Sequence, residues 1–390
     1  MSVLEVAGTR RHAVRRAPRT RLDAFPRDPL LRWSLRLALA VPYLVVAWIS
    51  AATDAPAALS TPNQQLLDHV ATIPWDRADP EWIGEIFPPL STLFATLLPG
   101  GRAGLAIAGA LIAGIFLQKL IEIMVQRQFF PTTIVILTLA VAANPLFAYT
   151  ALENFPAFLG LAFFGIAASD IMRFVAWRDT RSGFRAGMLL MLATLSDLSG
   201  LLYVLTAAAA APFLRLARAD QKGARAANVL VIIYPTVSAL AAIFFINFVF
   251  TGSVLNSLGR DLLVGTPERL ASLGPLFTTL NGWLLVAPVL SAWLIALIVR
   301  RPGSIIVSTL VFIAILGAFV LGLLPSGSAG NTFILMTVMA IALVPTPNSR
   351  VTTILVDVVA LLQIAIAWAA AFNRPVVVDW MTAVWSGLGA

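Results

Sequence analysis

Apolar runs long enough to cross a membrane recur along almost the whole chain of 390 residues. One helical crossing of a bilayer needs about 20 apolar residues. Such runs, separated by polar residues, proline or glycine, predict spans at about 36–53, 103–124, 130–149, 155–174, 186–198, 200–214, 227–250, 277–299, 303–324, 331–347 and 351–371. Only 12% of the residues are charged, against about 25% in a typical soluble domain. We therefore predict an all-α, polytopic transmembrane bundle of about 10 to 11 spans.

Several kinds of chemistry are excluded by residue types that the chain lacks. It contains no cysteine and only two histidines, His12 and His69. Disulfides, iron–sulfur clusters and thiolate metal sites are therefore excluded, and a histidine-built metal site is disfavoured. The sequence also lacks a glycine-rich phosphate loop, a Ser/His/Asp set and a zinc signature. No cofactor is predicted with certainty, and a divalent metal remains an open alternative.

Basic residues are concentrated at the start of the chain, where nine arginines fall within the first 36 residues. Positive charge near span ends marks the cytoplasmic side of a membrane protein, so a nucleic-acid partner is not needed to explain it. We predict a basic cytoplasmic arm at 1–32, a transmembrane domain at 33–371 and a short periplasmic C-terminal tail at 372–390. The bilayer is the first expected partner.

The segment 186–214 decides the topology of everything that follows it. It is too long for one span, and we predict two short legs that turn at Asp197. Two legs keep the later basic clusters on the cytoplasmic side, whereas a single crossing would invert them. Most carboxylates then lie on the outer face: Asp54, Asp68, Asp76, Asp79, Glu81, Glu85, Glu153, Asp197, Asp261, Glu268 and Asp379.

The long hydrophilic insertion, the first outer loop at 54–102, is the leading candidate for an active site. Loops of this length usually have a function or a structure of their own. Asp79 and Pro80 predict the start of a short amphipathic helix over 80–87, which Pro88 and Pro89 end. The apolar stretch 90–98 is too short to span. Candidate catalytic carboxylates are Asp54, at the membrane edge, with Glu81 and Glu85 behind it; a span terminator and a solvated loop are the plainer alternatives.

Further candidates lie at other outer turns. Glu153 and Asn154 occupy a very short turn, and Asp197 lies at the tip of the two short legs, so all three could line an outer cavity. A helix cap and an ordinary polar turn are the competing explanations. Guanidinium groups suit phosphate, although pairing with neighbouring carboxylates would also account for these arginines. The candidate phosphate-binding residues are Arg77, Arg102, Arg260 and Arg269.

The order of these features resembles a known family. An arginine-tagged first span precedes a long outer loop that begins with Asp54 and ends in "FPPLSTLFATLLPGG". The segments "NPLFAYTALENFPAFLGLAFFGIAASDIMRF" and "SGFRAGMLLMLATLSDLSGLLYVL" follow. Over about residues 33–215 the chain resembles the membrane half of GT-C class polytopic glycosyltransferases, which use polyprenyl-phosphate sugar donors. The family often has adjacent acidic residues after the first span and a soluble C-terminal domain, and this chain shows neither.

The resemblance implies sugar transfer on the periplasmic face of a bacterial inner membrane. It also implies that an outer-loop carboxylate, by position Asp54, accepts the proton of the acceptor hydroxyl. Two other functions stay open. A non-catalytic subunit of a larger complex would need a protein partner, and a transporter of lipids or lipid-linked sugars would be expected to show related internal halves.

Overall fold

The computed structural model describes residues 24–52, 60–75, 82, 85–177, 180–211, 224–254, 266–298, 302–324, 329–343 and 349–387. These residues form helices without any strand, which confirms the predicted all-α class. The helices are α1 (Pro29–Ala52), α2 (Pro62–Thr72), α3 (Pro89–Leu97), α4 (Gly101–Gln126), α5 (Pro131–Ala142), α6 (Pro145–Glu153), α7 (Phe155–Trp177), α8 (Thr180–Ser196), α9 (Gly200–Ala210), α10 (Ala224–Thr251), α11 (Thr266–Thr278), α12 (Leu280–Ile298), α13 (Pro302–Val320), α14 (Ala329–Leu343), α15 (Arg350–Phe372) and α16 (Pro375–Gly387).

The protein is a multi-pass membrane protein. Among the described residues, seven helices are long and apolar enough to cross a bilayer, namely α1, α4, α7, α10, α12, α13 and α15. The pair α5 and α6 would add one more if the two helices form a single span bent by 56°. Helices α9 and α14 are apolar but shorter. The helices therefore follow the predicted runs closely.

The bend between α5 and α6 differs from the straight span predicted at 130–149. Pro145 has no backbone N–H to continue the hydrogen-bond ladder of α5. Asn144 accepts a hydrogen bond from the backbone N–H of Leu146 at 2.9 Å and so caps a new helix. The chain restarts there and runs on to Glu153, four residues past the predicted end.

Contacts between distant helices define two ends of the bundle. At the end that includes residues 24–36, called the arm end, Arg36 of α1 donates to Gln118 of α4 at 3.1 Å. Arg127, after α4, donates to the carbonyl oxygen of Ile341 in α14 at 2.7 Å. The opposite end, which includes α2 and α3, is called the loop end.

Small residues let the helices at the loop end and in the bundle centre approach closely. A Cβ atom built on Gly109 of α4 would lie 1.8 Å from the carbonyl oxygen of Ala151 in α6. One built on Gly114 would lie 2.2 Å from the carbonyl oxygen of Arg36 in α1. Backbone contact through glycine is a common way for membrane helices to pack. It fixes α1, α4 and α6 as one unit.

The two short legs predicted at 186–214 are present as α8 and α9. They turn at residues 197–199, and Gly200 opens α9 where a Cβ atom would lie 2.3 Å from the carbonyl oxygen of Ala193. Ser91 of α3 donates a hydrogen bond to the carbonyl oxygen of Ser196. The turn is thus covered by the outer loop at the loop end.

Three helices lie where the sequence predicted loop or tail. They are α2 in the first outer loop, α11 between α10 and α12, and α16 in the predicted tail at 372–390. The predicted helix at 80–87 lies mostly outside the described residues. Only Trp82 and residues 85–87 of this range are described. The short helix α3 matches the apolar stretch predicted at 90–98.

Candidate functional site

Glu153 is the centre of a buried polar cluster at the loop end. Its carboxylate is 1% exposed and lies 2.8 Å from Nη2 and 3.0 Å from Nε of Arg102. Ser50 of α1 and Trp380 of α16 each donate to Oε1 at 3.2 Å. A buried carboxylate is tolerated when it is paired and its remaining lone pairs are bonded. Glu153 therefore ties α1, α4, α6 and α16 together, and its acceptor capacity is used in doing so.

Asn154 caps the start of α7, which is the alternative that the sequence left open beside a place in a cavity wall. Its side-chain oxygen accepts from the backbone N–H of Ala157 at 3.4 Å. Beside it, buried Asn63 of α2 donates to the carbonyl oxygen of Leu152 at 2.8 Å and accepts from the N–H of Phe155 at 2.7 Å. Asn63 thus bonds one backbone carbonyl and one backbone N–H at the break between α6 and α7, and it anchors α2 there.

Asp197 is buried in the turn between α8 and α9. Its Oδ2 accepts from the backbone N–H of Ser199 at 3.1 Å and also from the Ser199 hydroxyl. Among the described residues, no lysine or arginine forms an ion pair with it. Burial raises the pKa of Asp197, and the hydrogen bonds from Ser199 offset part of that increase.

The outer-loop candidates are described only in part. Asp54, Glu81, Arg77 and Arg260 lie outside the described residues. Glu85 is exposed, and its carbonyl oxygen accepts a hydrogen bond from Nε2 of His69 at 2.8 Å. No three histidine or carboxylate side chains of the described residues come together in a way that could hold a metal ion.

A cavity of about 670 Å³ opens at the loop end between α11, α12, α13, α14 and the end of α15. Its walls include Phe312 and Met336, and its polar groups include Thr279 and Asn281. Arg269 of α11 and Arg374, which follows α15, supply positive charge, and the described lining contains no carboxylate. A cavity with this lining suits a ligand that combines an anionic group with an apolar body.

Arg374 also lines a second cavity of about 260 Å³. That cavity is bounded by Ser60 and Gln65 of the outer loop and by Tyr149 of α6. Within the described part of the chain, no carboxylate forms an ion pair with Arg374. Burial lowers the pKa of its guanidinium group. The two cavities therefore share one partly desolvated cation.

Two buried carboxylates of the arm end, Glu122 and Asp170, are paired with cations instead. Lys119 lies 2.8 Å from the carboxylate of Glu122, and Arg173 approaches the same carboxylate at 2.9 Å. Asp170 binds Arg173 at 3.3 Å and also pairs with Arg185. Both carboxylates are buried, and their ion pairs join α4, α7 and α8.

The structure thus groups the predicted residues differently from the sequence interpretation. It brings Arg102 to Glu153 and places Arg269 at the large cavity. Glu153, Asn154 and Asp197 are buried and are not among the residues that line either cavity. Arg374, Tyr149 and Gln65 were not selected from the sequence. Arg374 stands directly before Pro375, a helix-start signal that could have marked it as a helix junction.

Comparison of the chain with known protein families, with curated proteins and with solved structures gives no match.

Proposed function

We propose that the protein is a membrane glycosyltransferase of GT-C type that moves a sugar from a polyprenyl-phosphate donor to an acceptor. We place the loop end on the periplasmic face of a bacterial inner membrane, with the N-terminus in the cytoplasm and the C-terminus outside. The observation that carries the proposal is the meeting of two cavities at Arg374. Transfer needs two substrates to meet at one point, and a cation there suits a phosphate leaving group.

The large cavity fits the donor. Its volume of about 670 Å³ lies within the usual range of small-ligand pockets, about 300 to 1,000 Å³. Apolar side chains such as Phe312 and Ile315 suit the first part of a polyprenyl chain. Arg269 and Arg374 supply the charge complementary to phosphate. The sugar, attached to that phosphate, would then extend toward the small cavity.

The small cavity fits the reacting part of an acceptor. It is lined by hydroxyl and amide groups of Ser60, Gln65 and Tyr149, which can orient a polyol. Asp54 precedes Ser60 by six residues in the chain and follows the last residue of α1 by two. Asp54 itself lies outside the described residues, and its closeness in sequence to Ser60 is the reason for proposing it as the base. Glu81 and Glu85 are the alternative bases of the same loop.

The reaction balances with the groups named. The carboxylate of Asp54 takes the proton of the acceptor hydroxyl, and the acceptor oxygen forms a bond to the anomeric carbon. The bond between that carbon and the phosphate oxygen breaks, and its electron pair stays on the phosphate. Polyprenyl phosphate leaves, and Arg374 stabilises the added negative charge.

Sugar transfer by the purified protein in lipid nanodiscs tests the proposal. Labelled polyprenyl-phosphate sugars are offered with a panel of hydroxyl acceptors, and product is measured by mass. Asp54→Asn is expected to lower the rate at least about a hundredfold, as loss of a general base does. The matched control is Asp68→Asn, an exposed carboxylate of α2 in the same loop that bonds Gln64. The mechanism is wrong if Asp54→Asn, Glu81→Gln and Glu85→Gln all retain the full rate.

A further inference from the structure

The helix α11 forms one wall of the large cavity with a single face. Arg269, Leu273 and Leu276 lie at spacings of four and three residues, so they share a face, and all three line the cavity. Leu270 and Phe277 are exposed, at 59% and 44%, and are not among the residues that line it. Two large apolar side chains on the exposed part of a helix that also carries a charged residue are typical of a helix lying in a membrane interface.

This wall is held more weakly than the others. Helix α11 contains no buried residue. Its Arg269 donates to the carbonyl oxygen of Phe319 in α13 at 3.4 Å, a long hydrogen bond. Gly274, in the middle of the helix, has open space where a side chain would be. Segments with few buried apolar contacts are the ones that open at low free-energy cost.

The two cations of the cavity belong to segments that are held with different strength. Arg269 belongs to α11, whereas Arg374 lies between α15 and α16, and α16 is anchored by buried Trp380 to Glu153. A phosphate bound by both guanidinium groups would connect the weakly held wall to the firmly held one. Charge-assisted contacts to phosphate are among the strongest hydrogen bonds. Such a ligand would therefore close the cavity as it binds.

We propose that the large cavity binds the phosphate of an anionic membrane lipid between Arg269 and Arg374, and that the lipid enters sideways from the bilayer past α11. The inference rests on the proposed function, because it describes how the donor of that reaction reaches its cavity. It does not require transfer to occur. Leu270 and Phe277, exposed on α11, and the apolar residues of the cavity lining would provide contacts for the lipid chain.

The chain has no cysteine, so a single introduced thiol reports on one position. Ser272→Cys places the thiol in the cavity lining, and Leu270→Cys places it on the outer side of α11. Both variants, in nanodiscs of neutral lipid, are reacted with a water-soluble maleimide, and the labelling rate is followed by mass. Polyprenyl phosphate is expected to slow labelling of the Ser272→Cys variant about tenfold or more and to leave the Leu270→Cys variant unchanged.

Adding Arg374→Gln to the Ser272→Cys variant is expected to raise the lipid concentration for half-maximal protection about tenfold, as loss of a charged hydrogen bond does. The control is Arg350→Gln, an exposed arginine at the far end of α15, which should not shift it. A melting measurement on each variant confirms that it is folded.

Two further arms identify the source of the phosphate. Nanodiscs that contain phosphatidylglycerol should protect the Ser272→Cys variant if the site accepts anionic lipids in general, and this result supports the inference. Protection by inorganic phosphate as strong as that by polyprenyl phosphate overturns lateral lipid entry. So does equal protection of both cysteine variants, or no protection by any ligand. Sugar transfer without protection would refute this inference alone, and protection without transfer would refute only the proposed function.

Discussion

Replacing Glu153 by glutamine should lower the free energy of unfolding, although the two side chains have nearly the same shape. The carboxylate accepts from four donors, which are Nε and Nη2 of Arg102, the hydroxyl of Ser50 and the indole N–H of Trp380. A glutamine side chain has one oxygen and one NH₂ group. If its oxygen takes the place of Oε1, its NH₂ group faces Nε of Arg102, donor against donor.

The magnitude follows from the burial of the pair. Glu153 is 1% exposed and Arg102 is 17% exposed. Removing one partner of a buried ion pair costs about 3 to 5 kcal/mol, because the remaining charge is left without compensation. Since Arg102 keeps some contact with solvent, we expect the lower end, about 3 kcal/mol. That corresponds to a change of more than a hundredfold in the folding equilibrium.

Reversible unfolding in mixed micelles, followed by circular dichroism, measures this loss. A double-mutant cycle with Arg102→Met isolates the pair, because the double variant has no unpaired cation. We expect the double variant to be more stable than the sum of the single changes predicts, by about 2 kcal/mol. The exposed carboxylate of Asp68 provides the control, and Asp68→Asn should change stability by less than about 0.5 kcal/mol. A loss below 1 kcal/mol in Glu153→Gln, or additive single changes, would refute the reasoning.

Three further outcomes are expected from the same unfolding assay. Gly109→Ala should cost about 1 to 3 kcal/mol, because the added methyl meets the backbone of Ala151, whereas Gly317→Ala, which meets open space, should cost little. Asn63→Ala should cost about 1 to 3 kcal/mol, because it leaves a carbonyl and an N–H unpaired at the break after α6; unchanged stability would contradict this role. Burial raises the pKa of Asp197 in the folded state, so the native protein binds this proton more tightly than the unfolded chain does. The wild type should therefore lose stability relative to Asp197→Asn as pH rises above about 4, the ordinary carboxyl pKa, and a difference that does not vary with pH would contradict the assignment.

The spans could be predicted because each is specified by its own residues. A run of about 20 apolar residues has few alternatives in a bilayer other than a helix. The short legs α8 and α9 were predictable for the same reason, together with the charge bias of the flanking segments. The break at Asn144 was missed although the Asn–Pro pair was visible, because an apolar run continues across it. Helix α11 was missed because its pattern of cavity-facing residues, Arg269, Leu273 and Leu276, is short and includes a charged residue.

The sequence and the structure overlap only partly in the residues that they bring forward. The sequence selected polar residues at the predicted outer turns, and of these Arg269 lines one of the two cavities at the loop end. It could not show that Arg102 binds Glu153, because the two are 51 residues apart and each has nearer residues of opposite charge. Arg374 could not be assigned either, since its importance depends on two cavities that meet only after α14, α15 and α16 have packed.

The two ends of the bundle differ in how their buried charges are paired. At the arm end, buried Glu122 and Asp170 are each paired with two cations, so nothing is gained electrostatically by adding an ion. At the loop end, the described residues leave Arg374 without a carboxylate although burial already lowers its pKa. A desolvated guanidinium without an anion lowers stability, and a protein that needed only a rigid bundle would gain by replacing it with an apolar residue. Arg374 lies between two cavities, one of them amphipathic, so under the proposed function a bound phosphate group would supply the anion that the described residues do not.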